Sequence, residues 1–355
     1  MFYREAGQFK TNYGNDQAIF PLKQDRIGIF ILIIIGLVVV PIFGTEYLLA
    51  TWLIPMLIYS LAALGLNILT GYAGQISLGT GGFMAVGAYV AFKIGSNIPE
   101  VNFLIAFLCG GLAAAGVGII FGIPSLRIKG FYLAVATLAA QFFLDWVFLK
   151  FDWWVNHNLS GVVAMPEMTL FGFVFDTAEK KYVLTAVIVI VLALAVKNVV
   201  RSHIGRAWMA VRDQDVAAEM IGIRLLHTKL SAFALSSFIC GIAGAMWAFI
   251  YLGTLEGVEA FNINTSFTIL FMVIIGGAGS IMGSFFGAAF IMLVPIVINL
   301  IPTTLGLPVA IDTISHFEFM IFGAMIIFFL IVEPFGLARL WSIGKEKIRL
   351  WPFPH

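Results

Sequence analysis

The stretch V-R-S-H-I-G-R-A-W-M-A-V-R-D-Q-D-V-A-A-E-M-I-G-I-R-L-L-H-T-K, from Val200 to Lys229, is a polar interruption between two long apolar runs. No other internal stretch of that length carries so many charges. Arg201, Arg206, Arg212, Arg224 and Lys229 outnumber Asp213, Asp215 and Glu219. An excess of Lys and Arg in a short loop between membrane spans marks the cytoplasmic side, so this loop faces the cytosol. The orientation of every other segment follows from it.

Asp213 and Asp215 stand where acids favour a helix N-terminus, and Val216 to Ile221 are helix-compatible. Gly222 can close the helix in the left-handed conformation. A helix of about two turns is too short to be stable alone in water. It needs a docking surface, which the small side chains of Ala217 and Ala218 would let it approach closely. Composition alone favours a plainer reading, a solvated loop whose basic residues only fix topology.

Outward from this loop the chain is oily: 355 residues, 61% hydrophobic and 11% charged, with a mean hydropathy of +1.02. A soluble domain of that balance would expose apolar surface it has no polar residues to cover. The fold class expected is therefore all-α, a polytopic membrane protein of about ten transmembrane helices. The net charge of +1 gives no hint of a nucleic-acid partner. Cys109 and Cys240 lie in apolar runs as small buried hydrophobes. The N-terminal M-F-Y-R-E-A-G-Q-F-K carries both charge signs, unlike a cleavable signal.

Residues 1–26 read as a cytoplasmic tail, 27–337 as the transmembrane unit and 338–355 as a second, basic cytoplasmic tail with Arg339, Lys345, Lys347 and Arg349. Inside that unit, 198–229 is the cytoplasmic loop and 150–181 the longest outer loop. Arg127 and Lys129 mark another inner loop, so the Lys/Arg-rich junctions fall on one side. Gly71 to Gly95 is less oily, with Gly71, Gly74, Gly79, Gly81, Gly82 and Gly87 interspersed with Gln75, Ser77 and Thr80. Irregular backbone at membrane depth survives only where protein or a water-filled path surrounds it, which predicts a broken or re-entrant helix. The alternative is that these glycines serve tight helix packing. The Gly276 to Gly283 turn is the other candidate for a re-entrant segment.

The chain has no phosphate-cradling Gly-x-x-x-x-Gly-Lys-Ser/Thr, no dinucleotide fingerprint and no His-Glu-x-x-His metal site. Its histidines, at 157, 203, 227, 316 and 355, are scattered over loops and ends. Asp145 is the best-placed intramembrane ionisable group. A proton- or sodium-driven pump should show a relay of mid-membrane carboxylates, and none is present. The energy source is expected on another polypeptide, and the chain is not expected to be an enzyme.

The segment from Arg201 to Ile223 resembles the cytoplasmic coupling loop of ABC importer permeases, specifically the membrane subunits of branched-chain amino acid importers. Two further stretches carry the same likeness. One is G-Y-A-G-Q-I-S-L-G, Gly71 to Gly79, with F-M-A-V-G-A-Y after it. The other is I-I-G-G-A-G-S-I-M-G-S-F-F-G-A-A-F, Ile274 to Phe290. With the hydropathy pattern, the resemblance covers roughly 27–337.

The resemblance implies an ABC importer permease in the bacterial inner membrane, with both termini cytoplasmic. It implies two ABC ATPase subunits that carry ATP and Mg, a second related permease subunit and a periplasmic substrate-binding protein, with no cofactor in this chain. Arg206, Arg212, Asp215, Ala217, Ala218, Glu219 and Gly222 would form the ATPase contact, the two arginines pairing with acids on the partner. Asn67, Gln75, Ser77 and Thr80 are the expected pathway residues, neutral groups suited to holding a solute weakly. Many members carry a Gly-Glu pair where this chain has Gln141-Phe142, and an outer Thr-Gly-Gly where it has N-L-S-G-V. A branched-chain amino acid is the default substrate, and these departures leave urea, short amides and aromatic or aliphatic carboxylates open. An ion-coupled transporter or channel, and an integral-membrane enzyme, are the competing classes.

Overall fold

A chain this apolar can satisfy its backbone away from water by helix formation, and helix dominates the computed structural model. It describes residues 23–98, 101–125, 132–156, 162–170, 173–256, 259–305 and 311–350. Residues 1–22, Arg127, Lys129, His157, His355 and most of N-L-S-G-V lie outside the described residues.

In chain order the helices are α1 (Ile27–Phe43), α2 (Leu48–Tyr72), α3 (Thr80–Asn97), α4 (Phe103–Ser125), α5 (Tyr132–Lys150), α6 (Ala178–Arg201), α7 (His203–Asp213), α8 (Asp215–Met220) and α9 (Leu225–Leu252). α10 (Ile263–Gly276), α11 (Ile281–Leu305), α12 (Ile311–Val332) and α13 (Gly336–Leu350) complete them. Among the described residues, six helices are long and apolar enough to cross a membrane: α2, α4, α5, α6, α9 and α11. α12 and α13 form a pair bent by 52°, which would make a seventh if counted as one span, and α1 and α10 are shorter apolar helices. The protein is thus a multi-pass helical membrane protein.

Burial sorts these helices into layers. The most apolar window of α9 is 83% buried and that of α2 is 72% buried, against 28% for α11 and 33% for α6. α2 and α9 are therefore interior, as is α3, whose residues are buried nearly throughout, and α4, α5, α6 and α11 turn much of their surface outward. Without a hydrophobic force between helices in lipid, close backbone approach has to hold the bundle, and small residues permit it. A Cβ on Gly87 of α3 would fall on the backbone of Gly241 in α9, and one on Gly244 would fall on the backbone of Met84.

The break expected over Gly71 to Gly95 is confined to 73–79. From Thr80 the chain is regular helix through Asn97, and glycines such as Gly87 are packing residues there, as the alternative reading had it. Two helices stand where loop or tail was expected. α7 fills the first half of the polar loop 198–229, and α13 occupies most of the basic C-terminal segment. The connecting loops add two short antiparallel pairs. β1 (Val162–Ala164) pairs with β4 (Thr254–Glu256), and β2 (Thr169–Leu170) pairs with β3 (Phe173–Val174).

Candidate functional site

α7 starts on Ser202, whose Oγ accepts the Ile204 amide at 3.2 Å, satisfying one of the free donors of a helix start. One face of α7 buries Trp208 and Val211, and the Trp208 indole N–H donates to Ser231 Oγ of α9 at 2.9 Å. α7 is thus fixed to the bundle, and Arg212 in its last turn reaches inward. The Arg212 Nη1–H donates to the carbonyl oxygen of Gly71 at 2.8 Å, at the end of α2. Arg212 Nε also donates to Asp213 Oδ1 at 2.8 Å. Arg212 is held within the chain and is only partly free to meet a partner, whereas Arg206 is exposed.

Gly71 stands at a crossing. A side chain there would overlap Asn67 Oδ1 and the backbone of Gly279. Asn67, fully buried, uses both ends of its amide on the glycine turn between α10 and α11. Its Oδ1 accepts the Gly279 amide at 2.8 Å. Its Nδ2 donates to Ser280 O at 2.8 Å and to Ser284 Oγ at 3.0 Å. The three separate sequence stretches that carry the resemblance therefore meet in one junction.

α8 hangs below this junction. Its end is a Schellman closure: the Ile223 amide donates to Ala218 O at 3.0 Å and the Gly222 amide to Glu219 O at 3.0 Å. Gly222 sits at φ +90, where an L side chain is strained, so the glycine is what lets the chain turn back toward α9. Ala218 is buried against the protein, while Ala217 and Glu219 are exposed and Asp215 is half-buried. Val216 is 56% exposed, Met220 84% and Ile221 75%. A six-residue helix that offers Val216, Met220 and Ile221 outward beside a carboxylate has an unpartnered apolar face.

The break after Tyr72 contains Gln75, Ser77 and then Thr80, all buried. Neither amide atom of Gln75 has a hydrogen-bond partner among the described residues. Ser77 Oγ accepts the Gly79 amide at 3.4 Å. The first turn of α3 would leave free donors inside the bundle, and neighbouring helices supply the acceptors. Ser266 Oγ of α10 accepts the Gly81 amide at 2.8 Å. Gln141 Oε1 of α5 accepts the Gly82 amide and the Ser266 hydroxyl at 3.1 Å. Gln141 Nε2 donates to Phe261 O at 2.8 Å and to Asp145 Oδ1 at 3.0 Å.

Asn67 sits at the junction, Gln75 and Ser77 lie in the helix break, and Thr80 opens α3. A cavity of about 460 Å³ lies elsewhere, lined by Glu46, Thr51, Asp176, Lys181 and Tyr251 together with aliphatic residues. Two polar centres escaped sequence reasoning. One is the clamp role of Asn67, for which a lone Asn in an apolar run gives no direction. The other is Lys93, buried near the outer end of α3, whose ammonium donates to Asn156 Oδ1 and lies 4.2 Å from the centre of the Trp153 ring.

Comparison with known proteins follows from this geometry. The family described as branched-chain amino acid transport system / permease component matches residues 48–330. The high-affinity branched-chain amino acid transport system permease protein LivM of Escherichia coli is 32% identical over 250 residues, which is 63% of this chain and 57% of that protein. The chain thus spans just over half the length of this relative. A probable branched-chain amino acid transport permease protein LivM of Methanocaldococcus jannaschii is 23% identical over 320 residues, 79% of this chain and 90% of that one. The autoinducer 2 import system permease protein LsrC of an Enterobacter strain is 26% identical over 224 residues, 61% of each chain. No solved structure matches.

Proposed function

This chain belongs to the branched-chain amino acid transport system permease family, and from that premise we propose that it is a membrane-spanning subunit of an ATP-driven importer. It forms half of a translocation pathway with a second, related permease. Two ATPase subunits bind below and a periplasmic binding protein delivers the solute from outside. The chain crosses the inner membrane about ten times with both termini in the cytosol, the shorter helices α1, α3 and α10 adding to the longer spans. The solute is a branched-chain amino acid or a related small amphipathic molecule. The permease names among the relatives include an autoinducer importer, so urea, short amides and carboxylates stay within range.

The observation that carries this reading is α8, a short helix with exposed Val216, Met220 and Ile221 fixed by a Schellman turn under the junction of Gly71, Asn67, Arg212 and Gly279. Asp215, Ala217, Glu219 and Gly222 form the wedge that enters the ATPase, Ala218 seats it against the bundle, and Arg206 pairs with acids at its edge. ATP closes the ATPase pair, α8 moves with it, and α7 transmits the movement through Arg212 to the end of α2. Gln75, Ser77 and Thr80 stand along the pathway at the helix break, and Asn67 flanks them at the junction with α10 and α11.

The test is ATP-dependent uptake by the importer reconstituted with its ATPases and binding protein. Glu219→Lys is expected to reduce uptake at least tenfold while the chain still inserts and assembles. Wild-type uptake by Glu219→Lys would refute the role of α8. ATP-independent uptake by the wild type would point to an ion-coupled transporter instead.

A further inference from the structure

The chain turns sharply where α12 ends. α13 leaves the axis of α12 at 52°, after Pro334, which cannot continue a helix ladder. Gly336 makes the corner. Its amide donates to Glu333 O at 2.8 Å, its φ is +67, and a Cβ there would press on Ile275 O and the Gly277 amide. α13 is therefore seated against the same glycine turn that Asn67 clamps.

Its sequence, G-L-A-R-L-W-S-I-G-K-E-K-I-R-L, is two-faced. Leu337, Leu340, Trp341 and Gly344 recur at steps of three and four, the spacing of one helix face. Lys345 and Lys347 flank that face, with Arg339, Ser342 and Glu346 opposite. Leu337 packs against the core, but the protein leaves the rest of the apolar face open. Leu340 is 48% exposed and Trp341 55%, although the Trp341 ring meets Phe286 of α11 at 5.6 Å between centres. Arg339 is already engaged, 3.6 Å from Glu333 and stacked on Phe335. Lys345 and Lys347 are exposed.

A helix with Leu and Trp on one face and lysines at its edges, tilted away from the last span, matches a segment lying in the headgroup layer. We propose that α13 lies in the inner leaflet interface, with Leu340 and Trp341 at the acyl boundary, and that Lys345 and Lys347 bind the phosphates of anionic phospholipids. Charge decides the occupant. Zwitterionic lipid matches the apolar face but not the basic edges, and free phosphate matches the edges but not the face.

The test uses the full chain, delipidated in a maltoside detergent and titrated with short-chain phosphatidylglycerol, short-chain phosphatidylcholine or inorganic phosphate, with thermal unfolding as the readout. Phosphatidylglycerol is expected to raise the midpoint at about tenfold lower concentration than phosphatidylcholine, with inorganic phosphate ineffective. The preference should fade in high salt and in the Lys345→Gln/Lys347→Gln variant. Equal responses to the two lipids, or a full response to inorganic phosphate, overturn the proposal. A preference that survives both high salt and the double variant also overturns it, and the salt arm decides if the variant fails to fold. Loss of the response once ATPase subunits are bound assigns this face to a protein partner and overturns it too. Because the lipid titrations are made on the chain without ATPases, their outcome does not depend on how ATP drives transport.

Discussion

Arg212 and Gly71 lie 141 positions apart in sequence and share a hydrogen bond of 2.8 Å, guanidinium to backbone carbonyl. The carbonyl is one of the last in α2, where helix geometry leaves acceptors unpaired and a cation is favoured. The bond fastens the polar loop to the most central region of the bundle. Close by, Gly74 at φ +67 faces the Arg212 stem, with room for no more than hydrogen.

Arg212→Gln is expected to leave the protein inserted and folded, because the arginine side chain is 37% exposed and a bond screened that way contributes only about 1 kcal/mol. Transport should suffer far more than stability. Uptake in the reconstituted importer is expected to fall at least tenfold, with ATPase activity no longer stimulated by the binding protein. Undiminished coupling would show that the loop does not act through Gly71.

Asn67→Ala tests the clamp. The Gly279 amide loses its buried acceptor, at a cost of about 1–3 kcal/mol, and the turn between α10 and α11 loses its tie to α2. A thermal unfolding midpoint several degrees lower is expected. Ser284→Ala, which removes one of two acceptors of the Asn67 amide, should change it much less. Equal effects from the two substitutions would contradict the assignment.

Gln141 works because an amide both donates and accepts. Gln141→Glu keeps an acceptor for the Gly82 amide but removes the donor to Phe261 O, and it sets a second carboxylate beside Asp145. Two carboxylates in a half-buried site repel when both are ionised. Protonation relieves the repulsion, so the variant is expected to gain stability relative to wild type as pH falls and to lose it as pH rises toward neutral. Thermal unfolding at pH 5 and pH 7.5 checks the sign, and a pH-independent difference between the proteins would contradict it.

Much of this architecture was legible in the chain because lipid leaves few options: long apolar runs become helices. Gly222 was legible too, since a glycine after helix formers predicts the left-handed closure found at φ +90. What stayed hidden depends on contacts distant in sequence. Nothing local says that Asn67 bonds to Gly279, or that Gln141 caps the start of α3. α7 was hidden because its amphipathic pattern, with Trp208 and Val211 inward, is interrupted by charges that read as loop. Gly81, Gly82 and Gly87 suggested irregular backbone, yet close neighbours such as Gly241 hold them in a regular helix.

The claim that an ATPase docks on α8 is most directly tested by cross-linking from Met220→Cys, a position of that helix that is 84% exposed, in the assembled importer. With Cys109 replaced to remove background, the account predicts a cross-link to the ATPase subunit whose yield changes when ATP binds. No cross-link to the ATPase, together with labelling of Met220→Cys by an impermeant maleimide added outside intact cells, would contradict it.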